Sequence, residues 1–185
     1  MLCNYNQALA ILEQSTILYK HEELCSRIKN LAAIIEQEIQ GEIPIFLSIM
    51  NGGMFFAAEL LKHIKAPLIS DYIHASRYRG KNFGSDHITW YRQPKTEDIR
   101  NKNIYIVDDI LDEGHTLVEV VHFIRAAGAK ACKVIVLIDK DIGKSKQIQA
   151  DYVGFSAPNH LLFGFGMDIS RLYRQLPDIY IYNKD

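Results

Sequence analysis

At 185 residues, with 48% hydrophobic and 23% charged side chains, the chain has the size and composition of one globular domain able to bury a core. A net charge of −1 gives no electrostatic reason to expect nucleic acid or an anionic membrane as partner, and no apolar run approaches the about 20 residues of a membrane-spanning helix. Cys3, Cys25 and Cys132 are odd in number and lack paired spacing, so they read as reduced thiols; with no basic-then-apolar leader, a cytoplasmic location is expected.

From Asn4 to Gln40 the pattern is helical, with Leu24, Ile28, Leu31, Ile35 and Ile39 recurring at three- and four-residue steps. A short β-like piece, Thr16–Tyr19, interrupts it. Gly41 and Pro44 mark a change to strand, and Ile45–Met50 is a nearly continuous apolar run, as in a strand covered on both faces of a parallel sheet. Asn51-Gly52-Gly53 is a turn and Met54–His63 a helix. Leu68–His74 reads as a strand. Residues Ser76–Arg100 keep no steady period and carry six basic side chains, counting Arg92 and Arg100; a structureless insert of this length is usually functional or mobile. Ile104–Val107 is a strand, Thr116 to about Ala127 a helix, and Val134–Ile138 a further buried strand. Alternating strands and helices imply right-handed crossovers and an α/β fold, a parallel sheet flanked by helices. After Asp151 come short aromatic strands, Tyr152–Phe155, Leu161–Phe165 and Ile179–Tyr182. They read as a small C-terminal lobe over the edge of the sheet where α/β ligand sites lie.

The most informative stretch is Asn103 to Leu117. An apolar strand ends on Asp108 and Asp109; Asp112, Glu113, Gly114, His115 and Thr116 follow, and a helix begins. A strand-to-helix turn aims backbone N–H groups and a helix dipole at one point, which suits a phosphate. The adjacent carboxylates suit sugar hydroxyls and a hard cation such as Mg2+. Met50-Asn51-Gly52-Gly53 is a second strand end where glycines let backbone N–H groups approach an anion. Ser76-Arg77-Tyr78-Arg79-Gly80-Lys81 places three cations and a tyrosine on the irregular insert, where they suit closure over an anionic group.

Residues 108–116 closely resemble the phosphoribosyl-pyrophosphate motif of the type I phosphoribosyltransferases. The resemblance continues into the hypoxanthine-guanine branch from about Gly41 to the C-terminus. It implies the type I phosphoribosyltransferase fold, with a core of about residues 20–148 and a hood of about 149–185 joined by the N-terminal segment. It also implies Mg2+ as cofactor, phosphoribosyl pyrophosphate and a purine base as substrates, and assembly as a homodimer or homotetramer. By the same resemblance, Asp108 and Asp109 hold the ribose hydroxyls, and the loop Asp112–Thr116 wraps the 5′-phosphate. Asp112 serves as general base near N7, and Asn51, Gly52 and Gly53 form a pyrophosphate loop in which a cis peptide is common. Arg77 and Tyr78 belong to the closing loop, and Asp168 binds a second magnesium. Arg174 supports the phosphate side, and backbone near Leu162 and Asp168 reads the purine edge.

Departures from the family pattern are equally specific. Glu113 and His115 stand where Thr and Lys are frequent, Asn51 where a basic residue is, and Arg77 where Ser is. The lysine that donates to the purine 6-oxo group aligns with Gln149, and the stacking aromatic aligns with Leu161. The expected reaction is transfer of a phosphoribosyl group to hypoxanthine or guanine. Two other readings stay open at this point: transfer to xanthine, adenine or a pyrimidine, and a non-catalytic sensor of phosphoribosyl pyrophosphate.

Overall fold

A computed structural model describes residues 4–39, 41–77 and 88–183. The first elements are α1 (Tyr5–Glu13), β1 (Ser15–Tyr19) and α2 (His21–Glu38). Asn4 starts α1 with a reciprocal capping box, accepting from the Gln7 amide while the Gln7 side chain accepts from the Asn4 N–H. Helix α2 buries the stripe Leu24, Ile28, Leu31 and Ile35, all at most 3% exposed. Each such side chain contributes about 1.5–3 kcal/mol of burial free energy.

The alternating pattern then builds β2 (Ile45–Met50), α3 (Gly53–Leu61), β3 (Ile69–Arg77), β4 (Ile88–Arg92), α4 (Thr96–Ile99), β5 (Asn103–Leu111), α5 (His115–Ala126), β6 (Ala131–Lys140) and β7 (Tyr152–Ala157). Six strands form one sheet in the order β4-β3-β2-β5-β6-β7. All neighbours are parallel except the edge pair β3–β4. Helices α2 and α3 pack on one face with Phe46, Tyr105 and Leu137. Helix α5 covers the other face with Leu47, Ile73, Ile106 and Val136. β8 (Leu161–Phe163) and β9 (Ile179–Tyr182) close a separate antiparallel sheet, β1-β9-β8, so the N-terminal strand joins the C-terminal lobe.

Three expectations change. Tyr152–Phe155, assigned above to the small lobe, is part of the sixth strand of the large sheet, parallel to β6 from Ile135↔Tyr152 onward. Gly154 permits this close fit, since a Cβ there would stand 2.6 Å from the Leu137 carbonyl oxygen. The insert is also not structureless throughout. Residues 88–92 form the antiparallel edge, with Ile88 and Trp90 turned toward the α5 side and Trp90 lying 5.2 Å from the Phe123 ring. Its remaining part, including Tyr78, Arg79, Gly80 and Lys81, lies outside the described residues, as does the Arg77 side chain. Finally, β5 does not stop before the paired carboxylates but runs through them to Leu111.

The strand order locates the site. From β2 the chain crosses by α3 to β3 on one side; from β5 it crosses by α5 to β6 on the other. The order reverses between β2 and β5, and in open α/β sheets ligands bind beyond the carboxyl ends of the strands at such a point.

Candidate active site

A cavity of about 520 Å³ opens at that switch point, lined from β2 and β5 outward by Asn51, Gly52, Asp108, Asp109, Asp112, Glu113, Gly114, His115 and Thr116. Leu161, Leu162, Asp168 and Arg174 reach it from the small lobe, and His74, Ala75 and Lys140 from the flanking strands. Residues from sequence positions more than a hundred apart therefore converge on one space.

Two helices begin at its floor, and neither has a side-chain cap. Helix α5 starts after Gly114, whose φ of +86° is a left-handed conformation that disfavours other residues. Its first amides and the Thr116 hydroxyl are left to a ligand, and the dipole favours an anion there. Helix α3 starts at the Gly52-Gly53 pair, after a cis peptide between Met50 and Asn51. A Cβ on Gly52 would stand 1.9 Å from Asp109 Oδ2, and one on Gly53 2.7 Å from the Val107 carbonyl oxygen. Only glycines let this helix end sit against the carboxylates of β5. Gly52 and Gly53 are both buried.

Asp108 and Asp109 are each only 8% exposed. The Asp109 amide donates to Asp108 Oδ1 at 3.0 Å. Burial, and then the charge of Asp109 beside it, pushes the Asp108 carboxyl well above the usual carboxylate range. Burial also raises Asp109, against the pull of Arg174. Two buried adjacent carboxylates of this kind are short of positive charge, which is what a divalent cation supplies. Among the described residues no three His, Cys, Asp or Glu side chains are grouped to hold a metal alone. Magnesium binds through one or two carboxylates together with substrate oxygens and water, and Asp108 and Asp109 supply two adjacent ones. Across the cavity Asp168 is paired with Arg174 and accepts the Arg171 amide at 2.6 Å. Arg174 also donates to the Gly166 carbonyl at 2.5 Å, which fixes its guanidinium.

Glu113, in the 112–116 loop, lies beside two nitrogen-bearing side chains. His115 Nε2 lies 3.4 Å from Glu113 Oε2, and Lys144 Nζ lies 3.4 Å from Glu113 Oε1.

Among the described residues, Gln149 is the predicted side chain that this cavity does not receive. It is exposed and lines a separate depression with Asp141, Lys144 and Ser156. Lys140, at the end of β6, instead projects into the cavity and holds Asp112 Oδ2 at 3.0 Å. Its side chain is only 10% exposed. The signal for Lys140 was its place as the last residue of a buried parallel strand, the edge at which α/β sites form. Gln149→Lys should accordingly leave the KM for hypoxanthine and guanine within about twofold of the original; a fall of tenfold would return position 149 to the base pocket. Leu161, half exposed, does line the cavity and offers an apolar side chain without a ring face.

Residues 14–170 match the family model described as Phosphoribosyl transferase domain. The chain belongs to this family. A hypoxanthine-guanine phosphoribosyltransferase of Lactococcus lactis is 35% identical over 173 residues, covering 91% of this chain and 93% of that protein. Among solved structures, a hypoxanthine-guanine phosphoribosyltransferase of Bacillus anthracis matches with a TM-score of 0.82 at 32% identity, covering 90% of this chain and 97% of that one. A hypoxanthine phosphoribosyltransferase of Staphylococcus aureus matches with a TM-score of 0.86 at 26% identity, covering 97% of each chain. The shared phosphoribosyltransferase fold thus includes both the large sheet and the small antiparallel one.

Proposed function

We propose that this phosphoribosyltransferase serves purine salvage, joining hypoxanthine or guanine to phosphoribosyl pyrophosphate to give the nucleoside monophosphate and pyrophosphate. The observation that carries the choice of base is the Lys140–Asp112 pair, Nζ to Oδ2 at 3.0 Å, facing the cavity. A 6-oxopurine presents an acceptor, O6, beside N7 on one edge, whereas adenine presents an amino donor beside N7. An ammonium next to a carboxylate is complementary to O6 and a protonated N7 and clashes in kind with the adenine edge.

In this reading the Asp112 carboxylate takes the N7 proton as N9 attacks C1′ of the ribose, and the C1′–pyrophosphate bond breaks through an oxocarbenium-like transition state. Asp108 and Asp109 accept from the ribose 2′- and 3′-hydroxyls. The α5 amides of the 112–116 loop and Thr116 hold the 5′-phosphate, and the amides at Asn51, Gly52 and Gly53 take the departing pyrophosphate. Leu161 covers one face of the base, while backbone at Leu162 reads its edge. Arg174 orients Asp168. Asp108 and Asp109 would hold one magnesium and Asp168 a second, and these would offset the pyrophosphate charge. Arg77 and Tyr78 enter on their sequence alone, as part of a loop that closes over the pyrophosphate.

A cytoplasmic location is part of the proposal, in keeping with Cys25 and Cys132 as free thiols. Assembly as a homodimer or homotetramer is part of it too; exposed Tyr72 and Tyr91 at the β3–β4 edge offer an apolar surface. The test is pyrophosphate release from magnesium phosphoribosyl pyrophosphate with hypoxanthine, guanine, xanthine, adenine, uracil and orotate in parallel. Turnover with hypoxanthine or guanine is expected. Turnover with adenine or a pyrimidine alone would overturn the base assignment, and silence with all six would overturn the reaction.

A further inference from the structure

Lys146 stands in the segment between β6 and β7, outside the catalytic cavity, with a side chain only 11% exposed. Its ammonium donates to the Leu111 carbonyl oxygen at 2.6 Å and to Asp139 Oδ1 at 2.6 Å. Those two acceptors are not arbitrary neighbours. Leu111 and Asp139 are the last registered pair of the β5–β6 ladder. One residue further along the chain from each stand Asp112 and Lys140, the pair proposed to face the base.

The same segment backs the phosphate loop at further points. Lys144 lies 3.4 Å from Glu113, and the Ile148 methyl would stand 2.9 Å from a Cβ on Gly114. Residues 111, 112, 113 and 114 are thus each met by a side chain from positions 140–148. Lys146, like Lys140, is a largely buried cation of the set. An ammonium taken out of water costs free energy unless its donors are used, so its placement is specific: it reaches the one carbonyl and the one carboxylate that mark where the two strands part.

We propose that Lys146 is a positioning residue for base recognition. By tying Leu111 to Asp139 it fixes the separation and orientation of Asp112 and Lys140, so that both meet the purine edge at once. This inference rests on the reading of that pair as the base-recognising one. A misplacement of about 1 Å in such a constellation is enough to cost a large factor in rate or affinity.

The test compares Lys146→Met, which keeps the stem and loses the donors, with Lys146→Arg, which keeps a cation. Steady-state kinetics with hypoxanthine and adenine is combined with calorimetric Kd values for IMP and AMP. Lys146→Met should raise the hypoxanthine KM and the IMP Kd about tenfold, equivalent to about 1.4 kcal/mol, and shrink the preference for IMP over AMP. Lys146→Arg should restore most of both. Asp139→Asn loosens the same tie from its more exposed end and should shift the preference in the same direction, which keeps the test open should Lys146→Met fold poorly.

The decisive arm repeats Lys146→Met in a Lys140→Met background. A residue that acts through Lys140 adds little there, whereas a purely structural one adds its full effect. Additive losses, or an unchanged IMP preference in both the Lys146→Met and Asp139→Asn proteins, would overturn the inference. An original protein that turns over no 6-oxopurine and binds IMP no better than AMP would overturn the underlying base assignment as well, and is recognised before any variant is compared.

Discussion

Asp112→Asn is expected to lower turnover with hypoxanthine by about 10²-fold or more while leaving the Kd for magnesium phosphoribosyl pyrophosphate nearly unchanged. Asparagine keeps the shape of the side chain and can still accept from Lys140, so the loop should hold its form. What it cannot do is take a proton from N7. The ribose and phosphate contacts proposed for Asp108, Asp109 and the α5 amides are separate groups in the same cavity, which is why binding and turnover should part company. Lys140 loses the charge opposite it, and its side chain is only 10% exposed, so a smaller rise in the hypoxanthine KM should accompany the fall in kcat. Stopped assays at saturating base, together with calorimetry for phosphoribosyl pyrophosphate, separate these effects. Near-normal kcat in this variant would remove Asp112 from the role of base.

Most of this site could be read from the sequence because its parts are local. The carboxylate pair, the glycine and the threonine fall within one strand, turn and helix start between Asn103 and Leu117, and the physics of a strand end followed by a helix start does not depend on distant residues. The same holds for Asn51-Gly52-Gly53, where the cis peptide and the uncapped helix both lie within a few residues. What failed was non-local. β6 and β7 are parallel neighbours, yet the segment between them contains no helix. A reading that expects a helical crossover between parallel strands therefore sends Tyr152–Phe155 to the wrong layer. Lys140 was missed for a related reason. Asp139-Lys140-Asp141 reads locally as a solvated strand end, and only the fold brings Lys140 across to Asp112, 28 positions earlier. Gln149 aligns with the family's base-reading lysine, but the segment 141–151 turns it out to solvent. The insert was partly legible: its basic residues stood out, but the edge strand at 88–92 depends on Trp90 finding Phe123 on α5, a contact no local pattern announces.

Lys140→Met should act on the base and not on the chemical step. The stem is retained, so the apolar packing at the end of β6 survives, while the donor proposed for O6 disappears. A hydrogen bond from a charged group contributes about 1.5–3 kcal/mol, so the KM for hypoxanthine and guanine should rise roughly 10- to 150-fold. The Asp112 carboxylate remains half exposed to solvent, so it keeps access to water and its role in proton transfer, and kcat at saturating base should fall by less than the KM rises. Discrimination supplies the sharper readout. With the ammonium in place, adenine sets a donor against a donor; without it, that penalty vanishes together with the gain from O6. The ratio of kcat/KM for hypoxanthine to that for adenine should therefore collapse toward one, chiefly through loss of hypoxanthine activity. Asp112→Asn should show the opposite signature, a large fall in kcat with base preference mostly retained. If instead Lys140→Met lowers kcat as strongly as Asp112→Asn and leaves the base ratio intact, Lys140 serves to hold the carboxylate, and recognition of the 6-oxo group falls to backbone near Leu162.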